Sequence, residues 1–198
     1  MSRKWIFALF LLTAALPRGE VLFAGVKIGD PAPKFKGVIG IDDKKHSLSD
    51  FKDPKLVVLV FTCNHCQVAS AYEKRLVALQ DAYKTKGVQV VAVNVNNIEP
   101  ARLDKMKQRA KDRKFNFPYL YDSSQKMGRE YGATVTPHVF VLDQKRKVVY
   151  IGAIDDKMNA DQVKKTFLRN AIDALLDGKK PPEAVTKQFG CSIKYEKN

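Results

Sequence analysis

Two cysteines separated by two residues, Cys63 and Cys66, are the side chains of this sequence best suited to covalent chemistry. A thiolate is the nucleophile of disulfide exchange, and a second thiol nearby can resolve the mixed disulfide that forms. The apolar, β-branched block Leu56–Phe61 before the pair has the length of a buried strand. Residues 67–86 after it carry apolar side chains at the spacing of an amphipathic helix. The pair therefore falls where a strand leads into a helix.

This position predicts a role for each residue of the motif. The dipole and free N–H groups of a helix N-terminus favour a thiolate. We therefore expect Cys63 to be the more exposed thiol and the nucleophile, with a lowered pKa, and Cys66 to be the resolving thiol. A positively charged His65 would stabilise the Cys63 thiolate further and make the disulfide more oxidising. An inert structural disulfide is the alternative.

Charge and composition exclude some classes of function. The length of 198 residues is that of one domain plus an export signal, and an apolar content of 45% is ordinary for a globular protein. The net charge is +14. The lysines are scattered and no nucleic-acid motif accompanies them, so a nucleic-acid partner is disfavoured. A solvated basic surface is the simplest interpretation. An anionic membrane surface or an acidic partner is the alternative.

Residues 1–24 have the pattern of a secretory signal peptide. Arg3 and Lys4 precede an apolar stretch over residues 5–16, which is too short to span a bilayer comfortably. Two segments fit a cleavage site, Thr13-Ala14-Ala15 and Leu22-Phe23-Ala24, and the sequence does not decide between them; an uncleaved anchor is the alternative. Export would place the protein in the periplasm or outside the cell, where disulfides persist.

The order of predicted elements indicates an α/β fold. Their sequence is β-α-β-α-β-α-β-β-α, which favours a mixed sheet with helices on both faces. After the motif helix we expect a strand over residues 88–95, a helix over 100–113, a short strand before residue 122, a short helix ending at Gly132, a hairpin over 139–151 and a last helix over 161–177.

Three further stretches give the chain a family resemblance. They are Gly-Asp-Pro-Ala-Pro-Lys-Phe at 29–35, Val-Thr-Pro-His-Val-Phe-Val-Leu-Asp at 135–143 and Phe-Gly-Cys-Ser-Ile-Lys at 189–194. With the C-x-x-C motif they resemble thioredoxin-fold redoxins. The closest resemblance is to the C-x-x-C-containing, peroxiredoxin-like proteins of the alkyl hydroperoxide reductase/thiol-specific antioxidant superfamily. The resemblance implies a three-layer thioredoxin-like domain over residues 25–178, with a tail over 179–198 docked on it.

The resemblance also implies an activity, a thiol–disulfide oxidoreductase without a cofactor other than its redox-active disulfide. Pro137 would be a cis-proline facing the cysteines, and the backbone of Thr136 would bind the substrate chain. The dipeptide Asn64–His65 is similar to the His-containing dipeptides of oxidising thioredoxin-fold proteins. The partners would be protein dithiols or disulfides and an electron donor or acceptor protein, and the enzyme would be a monomer.

Some positions depart from the thioredoxin pattern. Thr62 stands where a Trp usually precedes the first cysteine. Val57 replaces the buried acid, and Ala69 replaces the Glu that many exported thioredoxin-like reductants carry. Proton relay through those carboxylates is therefore not available, so substrate, water or an acid elsewhere would have to serve.

A peroxidase is the rival enzyme. The peroxiredoxin pattern P-x-x-x-[ST]-x-x-C fits neither Cys63 nor Cys66, and His138 stands where an Arg would be expected. Peroxide reduction is therefore disfavoured. His138 is expected to start a strand, with tuning of the thiols as the alternative.

A metal carrier is the rival binding module. Cys63, Cys66 and a histidine could hold a soft ion such as Cu(I). The copper-delivery proteins of this fold use C-x-x-x-C instead, so we expect no metal. Covalent haem attachment needs C-x-x-C-H, which Gln67 excludes.

The third cysteine, Cys191, has three interpretations. It could be a buried thiol in a docked tail, a thiol that links the chain to a partner, or a third redox cysteine near the C-x-x-C. Gly190 would permit a tight bend, and Phe189 and Ile193 could anchor the tail on the domain. Lys194 could favour a thiolate if the fold brings it close.

Overall fold

A mixed seven-stranded sheet forms the centre of the protein. The computed structural model describes residues 25–197, so the predicted signal peptide lies outside the described residues. The strands of the sheet lie in the order β2-β1-β5-β4-β3-β7-β8. The strands are β1 (Val38–Gly40), β2 (Lys45–His46), β3 (Leu56–Phe61), β4 (Val88–Asn94), β5 (Tyr119–Tyr121), β6 (Val135–Thr136), β7 (His138–Leu142), β8 (Val148–Gly152) and β9 (Cys191–Ser192), and the α-helices are α1 (Gln67–Tyr83), α2 (Leu103–Asp112), α3 (Lys126–Tyr131) and α4 (Phe167–Leu176).

The central strand β3 explains the three layers. It runs parallel to β4 and antiparallel to β7, and every residue of it is buried. Successive side chains of a strand point to opposite faces. Leu56, Val58 and Val60 join one apolar cluster with α1, α2 and α4, and the alternate residues join a second cluster with α3. The prediction of a thioredoxin-like α/β fold with helices on both faces is therefore confirmed.

The last helix is shorter than predicted. Periodicity suggested residues 161–177, whereas α4 covers Phe167–Leu176. Residues 160–162 form a separate 3₁₀ turn. The backbone N–H groups of Lys164 and Lys165 donate to Asp156 Oδ1 at 2.9 and 3.0 Å. Because the carboxylate accepts these two N–H groups, they are satisfied outside a helix, and residues 163–166 are not helical. The helix predicted at 100–113 is likewise divided into a 3₁₀ turn, Glu99–Ala101, and α2.

The two-residue strands β6 and β9 form a second, antiparallel sheet. Through it the end of the chain lies beside the segment that precedes Pro137. Earlier in the tail, residues 184–186 hydrogen-bond with Ile151 of the edge strand β8, through Ile151 N to Ala184 O and Thr186 N to Ile151 O, both 3.0 Å. None of the helices in residues 25–197 has the length and apolar character to cross a membrane.

Candidate redox site

The C-x-x-C motif lies between β3 and α1, as the sequence predicted. Cys66 is the N-cap of α1, and its Sγ accepts the backbone N–H of Ala69 at 3.3 Å. Cys63 lies outside the helix, between the end of β3 and the cap. The helix terminus therefore acts most directly on Cys66, since the effect of a helix dipole is confined to its first turn.

The predicted lowering of the Cys63 pKa is wrong, and Cys63 exceeds Cys66 in exposure only slightly, at 3% against 1%. Cys63 is only 3% exposed, because it packs in an apolar cluster with Cys66 and Ala69. Burial disfavours the charged form and raises the pKa of the Cys63 thiol above its ordinary value. Hydrogen bonds with the Thr136 hydroxyl and with backbone groups of Cys66 and His65 oppose this shift without overcoming it.

A cis peptide bond joins Thr136 to Pro137, and Thr136 contacts both cysteines of the motif. Its Oγ1 lies 3.6 Å from Cys63 Sγ, and its carbonyl oxygen lies 3.1 Å from Cys66 Sγ. His65 is exposed, and its Nδ1 lies 3.4 Å from Cys63 Sγ. The structure thus brings together the cysteines, His65, Thr136 and Pro137 as the sequence proposed.

Cys66 forms a disulfide with Cys191 in this structure, across 125 residues of sequence. Their Cα atoms are 5.9 Å apart, within the usual range for a disulfide. Cys63 is left as the free thiol. The interpretation of Cys191 as a buried free thiol is therefore wrong, because the tail carries it onto the C-x-x-C motif.

Backbone pairing holds Cys191 in this position. Cys191 pairs with Thr136 in the β6–β9 ladder, and Ile193 N donates to Thr134 O at 2.9 Å. Gly190 approaches the backbone so closely that a Cβ there would overlap the Thr136 carbonyl oxygen. A glycine is therefore required at this position. The sequence suggested a bend at Gly190, but the reason is the close approach of two chains.

Asn64 anchors the loop between the cysteines. Its Nδ2 donates to the Pro100 carbonyl at 3.3 Å, and its Oδ1 accepts the Tyr119 hydroxyl at 3.1 Å. Ser70 Oγ donates to the Asn64 carbonyl at 3.4 Å. Tyr119 was not among the site residues predicted from the sequence. Its hydroxyl reaches the motif because β5 lies on the far side of β4 and ends near the same edge of the sheet.

A buried carboxylate lies elsewhere near the motif, at Glu73, two turns into α1. Its Oε1 accepts Arg109 Nε at 2.8 Å, and Oε2 lies 3.3 Å from Arg113 Nε. Arg109 also donates to Ser70 Oγ at 2.8 Å. Because two arginines face this carboxylate, it joins α1 to α2 and supports the loop rather than serving as a free base.

His138 starts β7, as the sequence predicted, and is 3% exposed. Neither ring nitrogen hydrogen-bonds to any part of the chain that the structure describes. Burial disfavours the imidazolium and lowers the pKa of His138 to about 4. Its ring packs 4.6 Å from the ring of Phe140. This histidine is therefore neutral at physiological pH.

The described residues offer no obvious metal centre. Within residues 25–197, no group of three or more His, Cys, Asp or Glu side chains is arranged to hold a metal ion. The chemistry that the arrangement supports is thiol–disulfide exchange among three sulfurs.

Comparisons with known proteins agree with this chemistry. The Redoxin family model matches residues 27–166. Thiol-disulfide oxidoreductase ResA of Bacillus cereus (strain ATCC 10987 / NRS 248) is 28% identical over 151 residues, which cover 73% of this chain and 83% of that protein.

Two solved structures are similar as well. An uncharacterized conserved protein from Geobacillus kaustophilus superposes with a TM-score of 0.81 at 35% identity, covering 87% of this chain and 94% of that one. A putative thiol:disulfide interchange protein DsbE from Chlorobium tepidum gives a TM-score of 0.55 at 27% identity, covering 64% of this chain and 85% of that one. The first similarity extends to most of the chain, whereas the second is confined to about two thirds of it.

Proposed function

Because this chain belongs to the Redoxin family and is a thiol-disulfide oxidoreductase, we propose that it is an exported enzyme that exchanges disulfides with protein substrates. Its redox group is a set of three cysteines, Cys63, Cys66 and Cys191, with Asn64, His65, Thr136 and Pro137 positioning them. The observation that carries this proposal is the Cys66–Cys191 disulfide beside a free Cys63 thiol.

Cys66 is the sulfur common to two alternative disulfides. The Cys63 thiolate attacks Cys66 Sγ, the Cys66–Cys191 bond breaks and Cys191 leaves as a thiolate. The proton released by Cys63 passes to Cys191, so the number of electrons in the protein is unchanged. Contacts of Cys63 Sγ and Cys66 Sγ with the same residue, Thr136, support this step.

His65 and Asn64 have different positioning roles in this proposal. His65 lies beside Cys63 Sγ, where a protonated ring would donate to the thiolate. Asn64 fixes the loop through Pro100 and Tyr119. No cofactor is needed, because the sulfurs carry the electrons.

Export is supported by the amino-terminal sequence. The basic and apolar segments of residues 1–24 match a signal peptide, and a stable disulfide fits an oxidising compartment. The enzyme would then act in the periplasm or outside the cell on protein dithiols or disulfides, with a donor or acceptor protein restoring its redox state.

An insulin-reduction or oxidative-refolding assay on the purified protein tests the activity. We expect Cys66→Ser to abolish exchange, because it removes the sulfur shared by both disulfides. Equal activity in the wild type and Cys66→Ser would exclude the proposal. Efficient turnover of hydrogen peroxide by the Cys66→Ser protein would instead favour a peroxidase.

A further inference from the structure

The three cysteines differ in their access to solvent. Cys63 is 3% exposed and Cys66 is 1% exposed, whereas Cys191 is partly exposed and is followed by the exposed residue Ser192. The rate of disulfide exchange depends on which sulfur an incoming thiolate can reach. An external thiolate therefore meets Cys191 first.

We propose that Cys191 is the catalytic cysteine that exchanges with the protein partner, and that Cys63 and Cys66 form an internal pair behind it. This inference rests on the proposed function and assigns its point of contact with substrate. It differs from the expectation that Cys63 attacks the partner directly.

The edge beside the cis-proline is already occupied. Strand β9 pairs with both residues of β6, Val135 and Thr136. The backbone of Thr136, which the family resemblance assigned to substrate binding, therefore faces the tail of this chain. A partner segment cannot pair with it while β9 is docked.

The tail is held by contacts that do not depend on the disulfide. Gln125 donates from Nε2 to Lys194 O at 2.9 Å and accepts Glu196 N at its Oε1 at 2.8 Å. The Tyr195 hydroxyl donates to Ala133 O at 2.7 Å. With residues 184–186 hydrogen-bonded to β8 as well, β9 is anchored on both sides. Opening the disulfide therefore leaves Cys191 in place.

The outer edge of β9 provides a place for the partner. Ile193 N donates to Thr134 O, so the alternation of an antiparallel ladder makes Cys191 and Thr136 a hydrogen-bonded pair. The N–H and C=O of Ser192, which lies between them, consequently point away from β6. An extended peptide can add to this edge by backbone hydrogen bonds. The partner is thus an extended, cysteine-containing segment of a protein.

The exchange step balances with the partner as the second redox species. A partner thiolate attacks Cys191 Sγ, the Cys66–Cys191 bond breaks and Cys66 leaves as a thiolate. The Ala69 N–H and the N-terminus of α1 stabilise that leaving group. A second partner thiolate then attacks the partner sulfur of the mixed disulfide and releases Cys191. The partner dithiol is oxidised to a disulfide, and its two protons pass to Cys66 and Cys191. The reverse sequence reduces a partner disulfide.

Trapping the mixed disulfide tests this assignment. Oxidised Cys63→Ser protein is mixed with a peptide that has one cysteine, quenched with acid after short times and mapped by mass spectrometry. We expect at least tenfold more peptide on Cys191 than on Cys66. A peptide with serine in place of cysteine is the control. Peptide attached chiefly to Cys66, or to Cys63 when the wild type is used, would overturn the proposal.

A second variant tests the outer edge of β9. Ser192→Pro removes the N–H that faces away from β6, whereas Ser192→Ala keeps it. We expect the proline variant to react severalfold more slowly with the peptide, with no change in its reduction by dithiothreitol. Equal peptide rates in both variants would refute the pairing at this edge.

These results separate the two proposals. If the insulin assay is positive but the peptide joins Cys63 or Cys66, only the role of Cys191 fails. If Cys66→Ser matches the wild type in that assay, the proposed function fails as well.

Discussion

The site has two halves that are built differently. The inner half, Cys63, Cys66 and the segment Thr136–His138, is buried and is assembled by the ends of β3, α1 and β7. The outer half, residues 190–193 of the tail, is placed there by a two-residue ladder and by anchors on either side. The inner half has the stronger helix-terminus effect, whereas the outer half contains the one partly exposed cysteine of residues 25–197.

This difference separates thiolate stability from access. In the inner half, the cap of α1 stabilises the Cys66 sulfur, while burial raises the pKa of Cys63. In the outer half, Cys191 has no helix terminus but is exposed enough to meet a partner. Dividing the tasks in this way lets one sulfur leave easily and another receive the partner.

The largest expected effect comes from removing one cysteine of each half. We expect Cys191→Ser to lower exchange with a folded protein substrate at least tenfold more than Cys63→Ser does. The reason is that Cys191→Ser leaves only the buried pair, whereas Cys63→Ser retains the accessible disulfide. Single-turnover exchange with reduced protein substrate measures both. The opposite order would move the point of contact to Cys63.

Acid should destabilise the inner half through His138. The pKa of this histidine is about 4 in the folded protein, against roughly 6.5 in an unfolded chain. The unfolded state therefore binds the proton first, and stability present above pH 6.5 is lost as the pH falls towards 4. The expected loss is about 3 kcal/mol at most. Urea unfolding across this range measures it.

The matched variants for this measurement are His138→Leu and His65→Ala. His138→Leu removes the buried titrating group, so its stability should depend less on pH than that of the wild type between pH 6.5 and 4. His65 is exposed, and its replacement should leave the slope unchanged. An unaltered slope in His138→Leu would mean that carboxylates account for all the acid sensitivity.

The sequence was most informative where structure is local. The strand, the C-x-x-C motif and the amphipathic helix are adjacent in the chain, so periodicity and capping rules place Cys66 correctly. The burial of Cys63 could not be predicted in this way, because Thr136 and Cys191, which lie far away in the sequence, join its surroundings. A position of Cys191 near the motif was one of three interpretations, but its bond to Cys66 and the short strands β6 and β9 could not be predicted for the same reason.

The same distinction explains the shortened last helix. Its apolar periodicity continues across residues 161–166, but Asp156 captures the backbone N–H groups of Lys164 and Lys165. A side-chain hydrogen bond to backbone can compete with a helix. The pattern of apolar residues contains no information about that competition.

The outer half can be disturbed without touching a cysteine. Gly190→Ala places a Cβ against the Thr136 carbonyl oxygen, so β9 must move. Overpacking of this kind costs roughly 1–3 kcal/mol. Each 1.4 kcal/mol changes an equilibrium constant about tenfold. We expect a corresponding fall in the ratio of the Cys66–Cys191 disulfide to free thiols in a glutathione buffer.

Gly178→Ala is the control for backbone strain alone. Gly178 also has a positive φ, of 73°, but a Cβ there would meet nothing within 4 Å. It should cost stability, roughly 1–2 kcal/mol, without changing the disulfide ratio. If both alanine variants change the ratio equally, the close approach to Thr136 is not what positions Cys191.

The smallest expected effect concerns the hydrogen bonds of Cys63. In the oxidised protein Cys63 is the free thiol, so its alkylation by iodoacetamide can be followed without other substitutions. Thr136→Val removes the hydroxyl that lies 3.6 Å from Cys63 Sγ and also 3.5 Å from Cys191 O. Since this hydroxyl lowers the pKa of Cys63 against the effect of burial, its loss should raise that pKa further. Only the thiolate is alkylated, so a rise of roughly half a pKa unit should slow alkylation near neutral pH about threefold.

Comparison with Thr136→Ser and His65→Ala makes this last measurement specific. Serine keeps the hydroxyl and should retain the wild-type rate, whereas valine keeps only the shape. The His65 ring is exposed to water and lies 3.4 Å from the sulfur, so its hydrogen bond should contribute less than that of the buried threonine. If His65→Ala slowed alkylation more than Thr136→Val, the Cys63 thiolate would be stabilised mainly by the C-x-x-C loop and not by the cis-proline segment. That result would restore the role that the sequence assigned to His65.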